Sequence, residues 1–205
     1  MRLPALILTI ATLSGFAICS QAQTVELVTN GGFETGDFTG WDHTAIFAGP
    51  GPGFFYGINV GSGGHSGTAC INIFGDTAGS VTQTLTTTPG MSYQISLWAT
   101  GGDGGGGTFD GGASGLIFAK IDGNDVISAS NQQMDNAFHI WKQFDSSFTA
   151  TSASTTLVVG AKNTYWNYLI DDISVTSVPE PSTYGLVAGV TILGFVLWRK
   201  VGREA

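Results

Sequence analysis

The sequence predicts an all-β sandwich lying between two apolar terminal segments. Short runs of alternating polar and apolar residues recur between turn-forming Gly, Asn and Pro, and no long stretch there has the apolar spacing of a helix. A period of two turns one side of each run toward a core, which is typical of strands in a sandwich. Of 205 residues, the 155 from 23 to 177 lie between the terminal segments, enough for one ordinary domain.

Seven runs are predicted as strands. Residues 81–85 and 93–99 alternate most clearly, and the turn between them, residues 87–90, has Pro to fix φ and Gly to allow a positive φ. The other predicted strands are residues 68–74, 116–121, 141–148, 155–161 and 168–176.

Three segments between the strands are predicted as loops. Residues 101–115 hold nine glycines in fifteen residues, residues 128–136 are polar, and residues 54–56 lie in a stretch rich in Gly and Pro. The glycine-rich loop lacks the Gly-Lys-Ser/Thr ending of a phosphate loop and no helix is predicted after it, so nucleotide binding is excluded.

The N-terminal segment has the three parts of a secretory signal peptide. Arg2 gives a positive start, residues 5–18 are apolar, and Ala22 ends a small-residue site for signal peptidase, which predicts a signal peptide of residues 1–22. A lipoprotein would need a small residue before Cys19, where the chain has isoleucine. Cys70 is then the single cysteine of the domain, and its apolar surroundings favour a buried, inert thiol over a reactive one.

The predicted domain is strongly acidic. Its basic residues are Lys120, Lys142 and Lys162, against thirteen Asp and Glu residues, for a net charge of −10. This surface repels phosphate backbones, which excludes nucleic acid as a partner. Two explanations stay open: solubility outside the cell, and affinity for divalent cations, which carboxylates favour.

The C-terminal segment predicts a single membrane-spanning helix. Residues 182–198 carry no charge and have no polar face, and as a helix they would reach about 26 Å, close to the ~30 Å of a bilayer core. Arg199, Lys200 and Arg203 follow directly. A basic cluster stays in the cytoplasm, so the domain before the helix is expected outside.

The order of these C-terminal features is more specific than the helix alone. Val178, Pro179, Glu180 and Pro181 precede the apolar run, and the basic cluster ends it, so residues 178–203 closely resemble the PEP-CTERM sorting signal of Gram-negative bacteria. The resemblance implies an exosortase-type sorting protease as a partner. The protein would be anchored in the inner membrane through its helix, cut near the Pro-Glu-Pro, and passed to the cell surface or an exopolysaccharide matrix.

Both ends of the domain carry a second resemblance. Residues 30–36, followed by Trp41, are similar to the opening of galactose-binding-like jelly rolls and carbohydrate-binding modules, and residues 169–175 are similar to their closing strand. This resemblance implies a jelly-roll β-sandwich whose first and last strands are neighbours. Trp41 is predicted to lie in the core.

A structural calcium site follows from the same resemblance. Neighbouring first and last strands would bring Glu34 to Asp171 and Asp172, and Ca²⁺ would relieve the repulsion between these carboxylates. Leu169, Asp171, Ile173 and Val175 are predicted to share one inward face, which favours Asp171 over Asp172. The alternative is that these acids cap turns and accept bonds from backbone N–H groups.

Aromatic side chains are the candidate platforms for a sugar, because pyranose rings present apolar C–H faces. Alternation places Trp98 with Gln94 and Ser96, and Trp141 with the polar side of its strand. Trp166 belongs to an aromatic cluster before the closing strand. These three tryptophans are the candidate ligand-binding residues, and packing is the alternative role of each.

No catalytic residue is predicted. The three histidines do not form the His-Glu-x-x-His pattern, a Gly-x-Ser-x-Gly elbow is missing, and His65 is expected to be a solvated loop residue. A glycosidase needs two carboxyl groups across a groove, and thirteen acids provide such a pair by chance, so their presence decides nothing.

The sequence thus predicts an exported, non-catalytic protein of the cell surface or exopolysaccharide matrix that binds carbohydrate. Two alternatives stay open: a structural or adhesive surface protein without a specific small ligand, and a polysaccharide hydrolase. Aromatic or apolar side chains exposed on one sheet face would favour binding, and a fully polar surface would favour the structural role.

Overall fold

The computed structural model describes residues 24–43, 55–61, 63–102, 115–130 and 140–178. They belong to a compact unit, Thr24–Val178, that contains the whole described core. The predicted signal peptide, the Pro-Glu-Pro motif and the helix of residues 182–198 lie outside the described residues. Within the described part of the chain, no helix is long and apolar enough to cross a membrane.

The described residues form strands and no helix, which confirms the all-β prediction. The strands are β1 (Asp42–His43), β2 (Phe55–Val60), β3 (Ala69–Thr86), β4 (Ser92–Gly102), β5 (Leu116–Ile121), β6 (Asn124–Ser130), β7 (Lys142–Thr149) and β8 (Ser154–Ser177).

Two long strands, β3 and β8, run through both layers of an antiparallel sandwich. The second half of β3 and the first half of β8 pair with each other and with β1 and β5, and β6 extends this layer, which we call sheet A. The first half of β3 and the second half of β8 form sheet B with β2, β4 and β7. The register of β3 against β8 shifts on both sides of Gly75, between the two halves.

The strand predictions agree with the structure in position more than in extent. Residues 116–121 form β5 as predicted, and the predicted turn at residues 87–90 has Gly90 at φ +83°. The long strand β3 joins two predicted strands, residues 68–74 and 81–85. The long strand β8 joins two more, residues 155–161 and 168–176.

Two loop predictions were wrong in part. Residues 128–130 end β6, and β2 contains Phe55 and Tyr56. Strand pairing explains both differences. β6 bonds to β5 along its length, and β2 bonds to the first half of β3. Neighbouring strands thus stabilise as strands two segments whose composition favours loops. Gly101 and Gly102 also continue β4, whereas the remainder of the predicted glycine-rich loop, up to residue 114, lies outside the described residues.

The core lies between the sheets and is built from the alternating side of each strand. Its fully buried large side chains are Tyr168, Phe33, Ile71, Ile73, Leu85, Ile95, Leu97, Ile117, Leu157, Ile170, Val81 and Val159. Trp41 is buried in the same cluster and stacks on Phe33, as predicted for the opening motif. Cys70 is a buried free thiol, as predicted, and burial raises its pKa to about 12, which disfavours the reactive thiolate.

The first described residues lie along the last strand. Glu26 forms a bridge with Thr176, the Leu27 N–H donates to the Val175 carbonyl at 2.9 Å, and the Ile173 N–H donates to the Gly31 carbonyl at 3.0 Å. The opening motif and the closing strand are therefore adjacent, as the resemblance implies.

A bulge in β8 changes which side chains of the closing strand face the core. Ser96 pairs with Ser174 while Trp98 pairs with Asp171, so β8 has one extra residue there, and Asp172 adopts a φ of +47°. Ile173 and Val175 join the core cluster, but Leu169 and Asp171 lie on the outer side with Trp98. The prediction of a single inward face for these four residues was wrong, because a bulge shifts the alternation by one residue.

Candidate aromatic ligand site

An aromatic cluster lies on the outer face of sheet B. Trp98 projects from β4 on the side opposite the buried Ile95, Leu97 and Ala99, and it pairs with Gln143 of β7. Its indole is half-buried. Alternation along β4 predicted this outward orientation of Trp98 correctly.

His65 covers one face of Trp98. The imidazole and indole rings are stacked with centroids 3.8 Å apart and planes inclined by 13°. The His65 Nδ1 atom lies 2.7 Å from the Asp172 Oδ2 atom, and the side chain of His65 is 27% exposed. The expectation of a solvated His65 was therefore wrong, because the loop that carries it folds back onto the sheet.

Trp141 completes the cluster at the edge of sheet B. It directly precedes β7 and is half-buried, and its ring meets the His65 ring edge to face with centroids 5.7 Å apart. Ile140 beside it is exposed. The cluster of Trp98, His65 and Trp141 thus presents aromatic surface on one sheet face, the feature predicted to favour binding over a purely structural role.

The Asp171 carboxyl group holds the loop that carries His65 in place by accepting backbone hydrogen bonds. Its Oδ2 atom accepts the His65 N–H at 2.7 Å and the Ser66 N–H at 3.2 Å, and its Oδ1 atom accepts the Asp172 N–H at 2.7 Å. Asp171 is fully buried, and burial raises the pKa of its carboxyl to about 6, outweighing these three donors. Ser66 adds a hydroxyl bond to Asp172 at 2.6 Å.

Glu34 fixes the other end of the same loop. Its carboxylate accepts the Thr68 N–H at 2.9 Å and the Ala69 N–H at 2.7 Å. These backbone bonds lower the pKa of Glu34. Gly67 makes the approach possible: its φ is +57°, and a Cβ atom there would lie 2.4 Å from the Glu34 carboxyl carbon.

The carboxylates predicted as calcium ligands, those of Glu34, Asp171 and Asp172, all bond to the segment of residues 65–69. Glu34 and Asp171 direct their oxygens at backbone N–H groups, which is the alternative arrangement considered from the sequence. Within the described residues, no group of three or more His, Cys, Asp or Glu side chains is arranged to hold a metal ion. These bonds favour the turn-capping alternative, and calcium stays a prediction.

The candidate ligand-binding tryptophans divide into two groups. Trp98 and Trp141 meet through His65, whereas Trp166 belongs to β8 and its side chain lies outside the described part of the structure. His65 is the member that the sequence interpretation missed. Its signal in the sequence was indirect: His65 is the single aromatic or basic side chain in a stretch of small residues, Gly63 to Thr68.

Comparison with known families decides the nature of the C-terminal segment. The model of the PEP-CTERM protein-sorting motif matches residues 177–201. The chain carries a PEP-CTERM sorting motif. This motif indicates export by the exosortase system of Gram-negative bacteria, and it begins where the last strand ends, since Ser177 is the final residue of β8.

The β-sandwich is similar in fold to solved carbohydrate-binding modules. TmCBM61, solved in complex with β-1,4-galactotriose, aligns with a TM-score of 0.52 at 18% identity over 74% of this chain and 97% of its own. The CBM22-1 xylan-binding domain of Xyn10C from Paenibacillus barcinonensis aligns with a TM-score of 0.50 at 15% identity over 75% and 93%. The comparison with curated proteins finds no match.

Part of a structure described as an enzymatically active domain is also similar in fold. In tailspike protein 4 of bacteriophage CBA120, 21% of the chain aligns with 75% of this one, with a TM-score of 0.52 at 13% identity. At such identities the similarity shows the fold alone, so the site itself has to carry any functional argument.

Proposed function

We propose that this protein is an exported, non-catalytic carbohydrate-binding component of the cell surface or exopolysaccharide matrix. The observation that carries the proposal is the partly exposed aromatic cluster of Trp98, His65 and Trp141 on the outer face of sheet B. Aromatic rings stack on the apolar faces of pyranose rings, and polar neighbours bind the hydroxyls.

Polar side chains are available around the cluster. Gln143 is exposed on the face of Trp98, and its side-chain amide donates to the Asp145 carboxylate at 3.2 Å. Gln94 is exposed further along β4 on the same side. A sheet face that combines aromatic rings with amide and carboxylate groups suits an uncharged, hydroxyl-rich ligand.

The cluster lies well away from the end of the domain that leads into the sorting motif. Tyr93 pairs with Ser177 at the start of β4, and Trp98 is five residues further along the same strand, about 17 Å at the usual rise of a strand. Within Thr24–Val178, the cluster and the end of the last strand are therefore separated along sheet B.

A pull-down tests the binding proposal. Residues 23–178, first shown to unfold cooperatively, are incubated with insoluble β-1,4-galactan, xylan and extracted bacterial polysaccharides. We expect selective retention on one class and no release of reducing sugar from it. A folded protein that no glycan retains would contradict the proposal and favour a structural or adhesive role, whereas release of reducing sugar would favour a hydrolase.

Processing at the sorting motif is tested separately, with the full chain in a Gram-negative host that encodes an exosortase. We expect the surface-released protein to lack the apolar residues 182–198, and replacement of Glu180 by alanine to retain the precursor in the membrane. Intact tails on released protein, measured by mass spectrometry, would contradict processing.

A further inference from the structure

We propose that His65 contacts the glycan directly through its Nε2 atom and that the site accepts uncharged sugars but rejects sugars bearing carboxylates. The inference rests on the proposed carbohydrate binding and deepens it. It follows from how His65 is held and from the charges around it, and it assigns a ligand-contacting role to a residue that sequence interpretation placed in solvent.

Three contacts hold His65 in place, two of them made by its ring. Its backbone N–H donates to Asp171, its Nδ1 atom lies 2.7 Å from Asp172, and one ring face covers Trp98 at 3.8 Å. Since the two ring nitrogens point in roughly opposite directions, Nε2 points away from Asp172. A polar atom that is fixed in place loses little entropy when a ligand binds to it.

A sugar hydroxyl suits Nε2 in either protonation state of the ring. In the neutral imidazole with its proton on Nδ1, bonded to Asp172, the Nε2 atom accepts; in the charged form it donates. A hydroxyl group can serve as donor or acceptor. The proposed contact is therefore available to either form of the ring.

The stacking also determines which aromatic face is left for the sugar ring. His65 covers one face of Trp98, so that face is closed to ligand. Trp141 meets His65 edge to face and is partly exposed, which leaves its ring next to the imidazole. A pyranose ring packed on Trp141 would place its hydroxyls within reach of His65.

Among the described residues, two carboxylates lie on the face that carries His65. Asp172 lies against His65 with its side chain 29% exposed, and Asp145 is exposed on the Trp98 side of β7, opposite Ser96. Lys142, next to Trp141 in sequence, turns toward the Phe144 ring, 6.0 Å from its centroid. A uronic acid would therefore meet negative charge here, and like charges repel.

The test compares two variants and two forms of one ligand in residues 23–178 with cooperative unfolding. His65→Phe keeps a ring that can stack on Trp98 but removes both nitrogens. His43→Phe makes the same change at β1 in sheet A, beside Phe38. The ligands are a neutral glycan retained in the pull-down, with β-1,4-galactan as the first probe, and the same glycan after oxidation of its C6 hydroxyls to carboxylates.

We expect His65→Phe to weaken binding of the neutral glycan about tenfold, the effect of one lost hydrogen bond, and His43→Phe to change it less than twofold. The oxidised glycan should bind the wild type at least tenfold more weakly than the neutral one. Asp172→Asn keeps an acceptor for Nδ1 and removes a negative charge. The difference in affinity between the neutral and the oxidised glycan should therefore be smaller in this variant.

Other outcomes overturn the inference. If a folded His65→Phe variant binds the neutral glycan as tightly as the wild type does, the proposed contact is wrong. If the wild type binds the oxidised and the neutral glycan equally, the proposed charge selectivity is wrong. If His65→Phe does not fold, the nitrogen resonances of His65 in the wild type are followed by NMR as the glycan is added, and an unshifted Nε2 signal contradicts the contact. A wild type that binds no glycan refutes the proposed function and this inference together.

Discussion

The imidazole of His65 lies face to face with the indole of Trp98, with ring centroids 3.8 Å apart. The two residues come from different parts of sheet B: Trp98 from the strand β4, and His65 from the loop before β3. The buried Asp171 carboxyl group holds that loop by accepting the backbone N–H groups of His65 and Ser66. The surface offered to a ligand is thus set by a buried acid.

The two outward tryptophans should differ when they are replaced by alanine. Trp141→Ala removes the ring surface that His65 leaves open, so glycan binding should fall at least tenfold while the melting temperature changes little. Trp98→Ala also removes the support of His65, so it should reduce both binding and stability. Calorimetric titration and thermal melting measure these effects, and an unchanged affinity of Trp141→Ala would contradict the assignment.

Gly31 should not tolerate a side chain. A Cβ atom there would lie 1.9 Å from the carbonyl oxygen of Ile173, in the contact that joins the opening motif to β8. We expect Gly31→Ala to cost about 3 kcal/mol or more of unfolding free energy, because backbone on both sides must move. Gly90→Ala is the control: its φ is +83° but its Cβ atom meets open space, so about 1–2 kcal/mol is expected. Urea denaturation compares the two, and equal losses would contradict the close approach.

Asp171 should make stability depend on pH in a direction unusual for a carboxyl group. Its folded pKa of about 6 is above the ordinary 3.8, so the folded protein binds the proton more tightly than the unfolded chain does. Its contribution to stability is therefore present below about pH 4 and is lost as pH rises to about 6. A shift of this size corresponds to about 3 kcal/mol at most.

Asp171→Asn separates this effect from other titrating groups. The variant loses an acceptor for backbone N–H groups at every pH, but the difference in unfolding free energy between it and the wild type should shrink from pH 4 to pH 7. Glu34, whose lowered pKa favours stability at higher pH, affects both proteins equally. A difference that stays constant or grows over this range would show that the pKa of Asp171 is not raised.

Chelation tests the calcium prediction. Glu34 and Asp171 already accept bonds from backbone N–H groups, so we expect residues 23–178 to melt at the same temperature in EDTA and in excess Ca²⁺. Glu34→Gln should destabilise the protein by the same amount in both solutions. A higher melting temperature in Ca²⁺, abolished in Glu34→Gln, would instead support the ion implied by the family resemblance.

The strand pattern was predictable because its cause is local. Alternation over residues 93–99 placed Trp98 outward and Leu97 inward, and the structure agrees, since a pleated strand turns successive side chains to opposite faces. The same rule failed at Asp171, where the bulge at Asp172 inserts one residue into β8. A bulge depends on the partner strand, and one strand read alone does not reveal its partner.

The sequence by itself determined the all-β class, the buried Trp41 and Cys70, and the C-terminal sorting motif, because each follows from the chemistry of consecutive residues. Only the tertiary structure decided the aromatic cluster. His65 and Asp172 are separated by more than a hundred residues, and they meet because β3 and β8 pair in register while the loop before β3 is bonded to Asp171. Contacts of this kind depend on pairing between distant segments, for which the spacing of residues along the chain carries no signal.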